Sequence, residues 1–181
     1  MKALDDFSDL GIVVIDMQEF FVDRTNKLIG KQNELFDIFR KRGARIYLIE
    51  SFGVGDTLEE VSAGVRNEFI VQSYLKNETS CFLKSVLDKS NKKYVELGEK
   101  LKKDKMNKLI FTGAYGEACV WDSLLDALYL KYVCFSSEDL NYNLVSLFSP
   151  DDYAKIGVNY FKDLNLMVGN LEGRLKKKGG N

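Results

Sequence analysis

Four short apolar runs, separated by stretches with helical periodicity, leave this chain few folds to choose from. Gly11-Ile12-Val13-Val14-Ile15-Asp16 is β-branched and continuous rather than alternating, the pattern of a strand buried on both faces. Ala44 to Glu50, Lys108 to Thr112 and Lys131 to Ser136 repeat the pattern, and Phe69 to Leu75 and Ala154 to Tyr160 are weaker strands. Helical spacing runs from Lys27 to Arg42, where Leu28, Leu35, Ile38 and Phe39 share a face and Gly43 supplies a stop. It recurs from Lys92 to Lys105, a charged surface helix, and from Ala118 to Leu130, with Ala118, Trp121, Leu124, Leu125 and Leu128 on one stripe. Strands alternating with helices require right-handed βαβ units. The fold class is therefore α/β: a three-layer α/β/α sandwich with a mostly parallel, Rossmann-like sheet of about six strands. No repeat or linker divides it, so residues 1–173 read as a single domain and 174–181 as a basic, frayed tail.

Ligands of such sheets bind beyond the carboxyl ends of the strands, at a topological switch point. Three polar residues stand at those ends. Asp16 closes the first strand, either as a cap for the next segment or as a carboxylate at a site edge. Lys76 follows the weak strand near 69–75, a place where a lone lysine is ordinarily solvated. Cys119 follows Gly113-Ala114-Tyr115-Gly116-Glu117-Ala118 and opens a helix. A cysteine on a helix can be a small buried hydrophobe. At a helix N-terminus its thiolate is instead favoured, and the nearby N–H groups can receive an oxyanion.

Composition then narrows the chemistry. The 181 residues include no histidine. That excludes Ser-His-Asp and Cys-His nucleophile pairs, His-ligated metals and imidazole acid–base catalysis. Any enzyme here must move protons with a carboxylate, a lysine or a tyrosine. With 26 basic and 27 acidic residues, nothing points to nucleic acid or an anionic membrane as a partner. Cys81, Cys119 and Cys134 are odd in number and far apart, which suggests free thiols in a cytoplasmic setting. The start, Met1-Lys2-Ala3-Leu4-Asp5-Asp6, is not a signal peptide, and no apolar stretch reaches the ~20 residues of a membrane span.

Taken in order, the strand ends resemble the signature of the isochorismatase-like hydrolases, the cysteine hydrolase superfamily. Its D-x-Q with a following Phe is matched by Asp16-Met17-Gln18 and Phe21. K-x-x-x-S-A-F is matched by Lys76-Asn77-Glu78-Thr79-Ser80-Cys81-Phe82, and G-V-x-T-x-x-C-V by Gly113 to Val120. The resemblance implies a catalytic triad of Asp16, Lys76 and Cys119. It further implies a non-proline cis peptide at Ala114–Tyr115, an oxyanion hole from the backbone N–H groups of Tyr115 and Cys119, and a substrate contact at Phe21. The implied reaction is hydrolysis of a C–N bond in a small amide or carbamoyl compound through a thioester, with no cofactor. A homo-oligomer is implied as well.

Two departures stand out. Nicotinamidase-type members carry a metal-binding Asp/His cluster after the second strand, where this chain has Ser51-Phe52-Gly53-Val54-Gly55-Asp56-Thr57; the metal is expected to be absent. Ala114 and Gly116 replace the usual Val and Thr of the nucleophile turn. A non-catalytic binding module of the same fold, or a vinyl-ether hydrolase of the isochorismatase type, are the alternatives.

Overall fold

All six residues of β1 (Leu10–Ile15) are buried, as a strand covered by helices on both faces must be. The computed structural model describes residues 6–39, 42–61, 70–82, 84–144 and 147–178. Strands β2 (Arg45–Ser51), β3 (Ile70–Lys76), β4 (Val86–Asp88), β5 (Lys93–Val95), β6 (Lys108–Gly113), β7 (Val133–Ser137) and β8 (Asn159–Phe161) join β1 in one sheet. Their order is β5-β4-β3-β2-β1-β6-β7-β8. Helices α1 (Val22–Phe39), α2 (Leu97–Lys103), α3 (Trp121–Tyr129), α4 (Pro150–Lys155) and α5 (Leu164–Lys178) cover it.

The strand period of two sorts the core into two layers. Ile12 and Val14 face a cluster built from Leu35, Phe36 and Phe39 of α1 and Leu164, Met167 and Leu171 of α5. Val13 and Ile15 face the other cluster, with Leu97 and Leu101 of α2 and Leu124 and Ala127 of α3. Burying each such side chain contributes roughly 1.5–3 kcal/mol. The sheet order places the chain reversal at β1: it builds outward through β2 to β5, then returns to lay β6 along the other side of β1.

Six parallel strands match the expected ones, and the additional pair is an antiparallel edge hairpin, β4 and β5. It occupies the first residues of the expected Lys92–Lys105 helix. The turn is held by Asp88 Oδ1, which accepts from the N–H groups of Ser90 (2.8 Å) and Asn91 (3.3 Å), and by Lys92 at φ +56°. Tyr94 is consequently exposed rather than on the core side of a helix, which begins only at Leu97. The weak strand from Ala154 is also shorter than expected: α4 runs to Lys155, Gly157 turns the chain at φ +94°, and β8 starts at Asn159. The protein's one proline, Pro150, opens α4 inside a Ser149–Asp152 capping box.

The first helix starts at Val22, earlier than the spacing from Lys27 suggests, because a 3-10 turn over Glu19–Phe21 feeds directly into it. Phe69 lies outside the described residues. At the other end, α5 continues through Lys178, so the boundary drawn at residue 173 falls inside a helix. Arg174 donates to Asn159 Oδ1 (2.5 Å) and its guanidinium lies over the Phe135 ring. Among the described residues no helix is long and apolar enough to cross a membrane.

Candidate active site

Four adjacent strands deliver polar side chains to one point at the carboxyl edge of the sheet. Asp16 follows β1 with φ +56°, a left-handed conformation that Asp tolerates better than most residues. Lys76 is the last residue of β3, and Cys119 lies in a π-turn, Gly116–Val120, between β6 and α3. Their side chains meet. Lys76 Nζ lies 3.0 Å from Asp16 Oδ2 and donates to Cys119 Sγ at 3.5 Å. Asp16 and Lys76 are 1% and 2% exposed. An ion pair this deeply buried is lost at a cost of about 3–5 kcal/mol if only one partner is removed, because the other charge is stranded.

Ser51, at the end of β2, is the member that sequence reasoning passed over. Its hydroxyl donates to Asp16 Oδ1 (2.9 Å) and accepts from Lys76 Nζ (3.0 Å). The Lys76 ammonium also donates to the Glu78 carbonyl (3.1 Å). Gln18 of the D-x-Q motif clamps Ser51 from behind. Its amide oxygen accepts from the Ser51 N–H (2.6 Å), and its amide nitrogen donates to the carbonyls of Ser51 (3.0 Å) and Gly55 (2.5 Å). Ser51 stands at a strand end like the others, which is the signal that marks it, but a serine there is too ordinary to single out alone. The remaining motif positions brace the site: Ser80 donates to Asp126 of α3 (2.6 Å), and the Cys81 N–H donates to Ser123 (3.2 Å). Cys81 and Cys134 are fully buried.

The surroundings of the Cys119 thiol raise its pKa, the opposite direction to the one a helix N-terminus alone would give. Burial pushes the Cys119 thiol up to about 12, and the Asp16 carboxylate adds to the rise, with Lys76 opposing it. Lys76 keeps its proton: burial works against the ammonium, but Asp16 and Cys119 more than offset it and its pKa is raised.

The nucleophile turn differs from the expected one. No peptide bond among the described residues is cis, Ala114–Tyr115 included. The chain turns instead through Gly113 at φ +153° and Tyr115 at φ +55°. Gly113 cannot be another residue without a collision, since a Cβ there would lie 2.0 Å from the Ile15 carbonyl oxygen. The Tyr115 carbonyl accepts from the N–H groups of Ala118 (3.0 Å) and Val120 (3.3 Å), which winds the π-turn that carries Cys119.

A cavity of about 310 Å³ opens on the cluster, lined by Ser51, Phe52, Lys76, Asn77, Glu78, Thr79 and Cys119. Phe21 is not in that lining; its ring packs edge-on against Tyr115, centroids 5.3 Å apart. Phe82 and Trp121 pack elsewhere, against Phe111 and Phe148. After β2, where a metal-binding cluster would stand in nicotinamidase-type proteins, Lys89 places its ammonium between Glu50 (2.6 Å) and Asp56 (3.1 Å). Glu50 also accepts from the Thr57 N–H and hydroxyl (3.0 and 2.6 Å), so its carboxylate pins the 51–57 loop. Among the described residues no group of three or more His, Cys, Asp or Glu side chains is arranged to hold a metal ion.

No protein-family model and no curated protein matches the sequence. Solved structures do resemble the fold. A MAR1 ribonuclease from Caenorhabditis elegans superposes with a TM-score of 0.70 at 18% identity, over 86% of this chain and 78% of that one. N-carbamoylsarcosine amidase from Thermoplasma acidophilum gives 0.70 at 17%, over 84% and 95%. An isochorismatase-like hydrolase from Alkaliphilus metalliredigens gives 0.70 at 16%, over 90% and 99%. The sheet order, the switch point at β1 and these superpositions agree: the chain has the fold of the isochorismatase-like superfamily.

Proposed function

We propose that the protein is a cysteine hydrolase that cleaves the C–N bond of a small amide or carbamoyl compound. The observation that carries this reading is the meeting of Asp16, Lys76 and Cys119 beside a cavity that reaches the thiol. Asp16 takes the Sγ proton as sulfur attacks the carbonyl carbon, and Lys76 holds the negative charge that passes between carboxylate and sulfur. The backbone N–H of Cys119, a residue that lines the cavity, receives the oxyanion; the trans Ala114–Tyr115 bond departs from the cis geometry on which the expected Tyr115 donor rests. Collapse of the tetrahedral intermediate expels ammonia or an amine, which takes the proton back from Asp16 and leaves a thioester. Asp16 then removes a proton from water as it attacks the thioester, and the departing sulfur recovers a proton while the acid is released. Nothing in this sequence asks for a metal or an organic cofactor.

Burial that raises the pKa of the thiol suits the scheme, because Asp16 stands beside it to take the proton during attack. The superfamily fold and the amidase among the structural neighbours support the same class. An open cavity at the thiol weighs against a purely structural member of the fold. The size of the cavity and the net charge of −1 favour a small molecule over nucleic acid. The test is ammonia release from a panel of small amides, with mass spectrometry for an acyl adduct on Cys119. Cys119→Ala is expected to lower turnover about a thousand-fold or more. Equal turnover by wild type and Cys119→Ala would overturn the reading.

A further inference from the structure

The edge hairpin of β4 and β5 delivers one side chain to the back of the site. Asp88 binds the N–H groups of Ser90 and Asn91 and so fixes the turn that begins at Lys89. From there the Lys89 ammonium reaches past β3 to Glu50 of β2 (2.6 Å) and to Asp56 in the loop that follows β2 (3.1 Å). The two contacts are unequal. The Glu50 side chain is 4% exposed and that of Lys89 33%, whereas Asp56 is 84% exposed, so water and salt screen the second pair far more than the first. Glu50 divides its carboxylate: Oε2 accepts from Lys89, and Oε1 from the N–H and hydroxyl of Thr57. Glu50 stands where the 51–57 loop leaves the sheet, and Thr57, bridged to Gln18, where it returns. The carboxylate thus closes the loop on itself, and without its lysine it is a buried charge short of its cation.

Ser51 and Phe52 of this loop line the cavity. Ser51 has a separate clamp, from Gln18 on its N–H and carbonyl, whereas Phe52 lies one residue farther out and is 68% exposed. A loop released at Thr57 therefore moves the Phe52 wall of the cavity more than it moves the Ser51 hydroxyl. We propose that Lys89 is a positioning residue: acting through Glu50, its ammonium clasps the 51–57 loop and sets the cavity wall at Phe52 that the substrate meets. The effect on substrate rests on the hydrolase reading above, whereas the clasp stands on the ion pair. Burial works against the Lys89 ammonium, but Glu50 and Asp56 outweigh it and its pKa is raised, so the clasp stays charged at neutral pH.

Hydrogen exchange of the full chain, followed by mass spectrometry of its peptides, tests the clasp without turnover. Lys89→Met keeps much of the side-chain bulk and removes the charge. Exchange in peptides spanning residues 51–58 is expected to quicken about tenfold while β1 and β6 stay protected. Lys89→Arg should restore most of the protection, and Asp56→Asn should change it less than about twofold. Glu50→Gln, which keeps an acceptor for Thr57 but no charge, is the second variant should Lys89→Met not fold, and is expected to quicken the same peptides severalfold. Unchanged exchange in 51–58 overturns the proposal. So does a rise shared by β1 and β6, or an arginine or Asp56→Asn variant as loose as the methionine one. In turnover of butyramide, followed by ammonia release, Lys89→Met is expected to raise KM about tenfold with kcat within about threefold. A lower kcat at unchanged KM overturns the role in substrate positioning. No ammonia from wild type with butyramide or the rest of the amide panel, with loosening confined to 51–58, supports the clasp and counts against the hydrolase.

Discussion

Ser51 shows how much of a buried site is settled by one hydroxyl. It donates a hydrogen bond to Asp16 Oδ1 and accepts one from Lys76, so it orients both members of the ion pair. Ser51→Ala leaves one acceptor and one donor short of a partner in a closed environment. In the proposed hydrolase this substitution is expected to lower kcat about 10- to 100-fold with little change in KM. Ser51→Thr keeps the hydroxyl and should recover most of the rate; a threonine variant as slow as the alanine one would contradict a positioning role. Lys76 and Cys119 illustrate the same dependence on neighbours. A lone strand-end lysine or helix cysteine reads as ordinary surface or core, and each becomes chemically pointed only at 3.0–3.5 Å from the others.

Among the elements, the β6–α3 connection carries the sharpest steric demand. Gly113 brings the end of β6 against the end of β1, where the Ala114 N–H donates to the Ile15 carbonyl (3.0 Å). Gly113→Ala is expected to cost about 3 kcal/mol or more in urea denaturation, since both the φ of +153° and the space forbid a side chain. Gly157→Ala is the comparison: φ is +94° there, but no atom lies within 4 Å of the added carbon, and only about 1 kcal/mol should be lost. Equal losses would mean that the close approach to Ile15 does not govern the turn. The hairpin of β4 and β5 teaches the converse. Tyr94, Leu97 and Leu101 fall near a helical period, yet Asp88 binds the two N–H groups that follow it and starts a turn. A turn decided by side-chain hydrogen bonding overrides a short apolar pattern.

For the molecule as a whole, free thiols in a dry core link stability to pH. Burial pushes Cys81 and Cys134 up to about 12, with a hydrogen bond from Ser123 opposing the rise at Cys81. In an unfolded chain a thiol titrates near 8.5. Above that pH the unfolded state loses protons that the folded state keeps, so stability is complete below about 8.5 and falls as pH rises toward 12. The loss should be on the order of 1 kcal/mol per thiol for each pH unit in that interval. Urea denaturation in the presence of a reductant measures it, and Cys134→Ala should flatten the slope. A pH-independent midpoint across the alkaline range would contradict the assignment of these thiols to the core.

The sequence by itself determined the layering and the sites of interest. Continuous β-branched runs and helical stripes are local patterns, and they placed six parallel strands between two helical layers and put Asp16, Lys76 and Cys119 at strand ends. Only the tertiary structure decided what those residues are. The raised pKa of the Cys119 thiol, the bridging hydroxyl of Ser51, the trans Ala114–Tyr115 bond and the lysine between Glu50 and Asp56 all arise from contacts between residues far apart in the chain. Desolvation and hydrogen-bond partnership depend on distance in space, falling away over a few ångströms, and no local periodicity encodes them. The same holds for Lys76: it is legible in the sequence, but that its ammonium is engaged by Asp16, Ser51 and the Glu78 carbonyl is a property of the folded site.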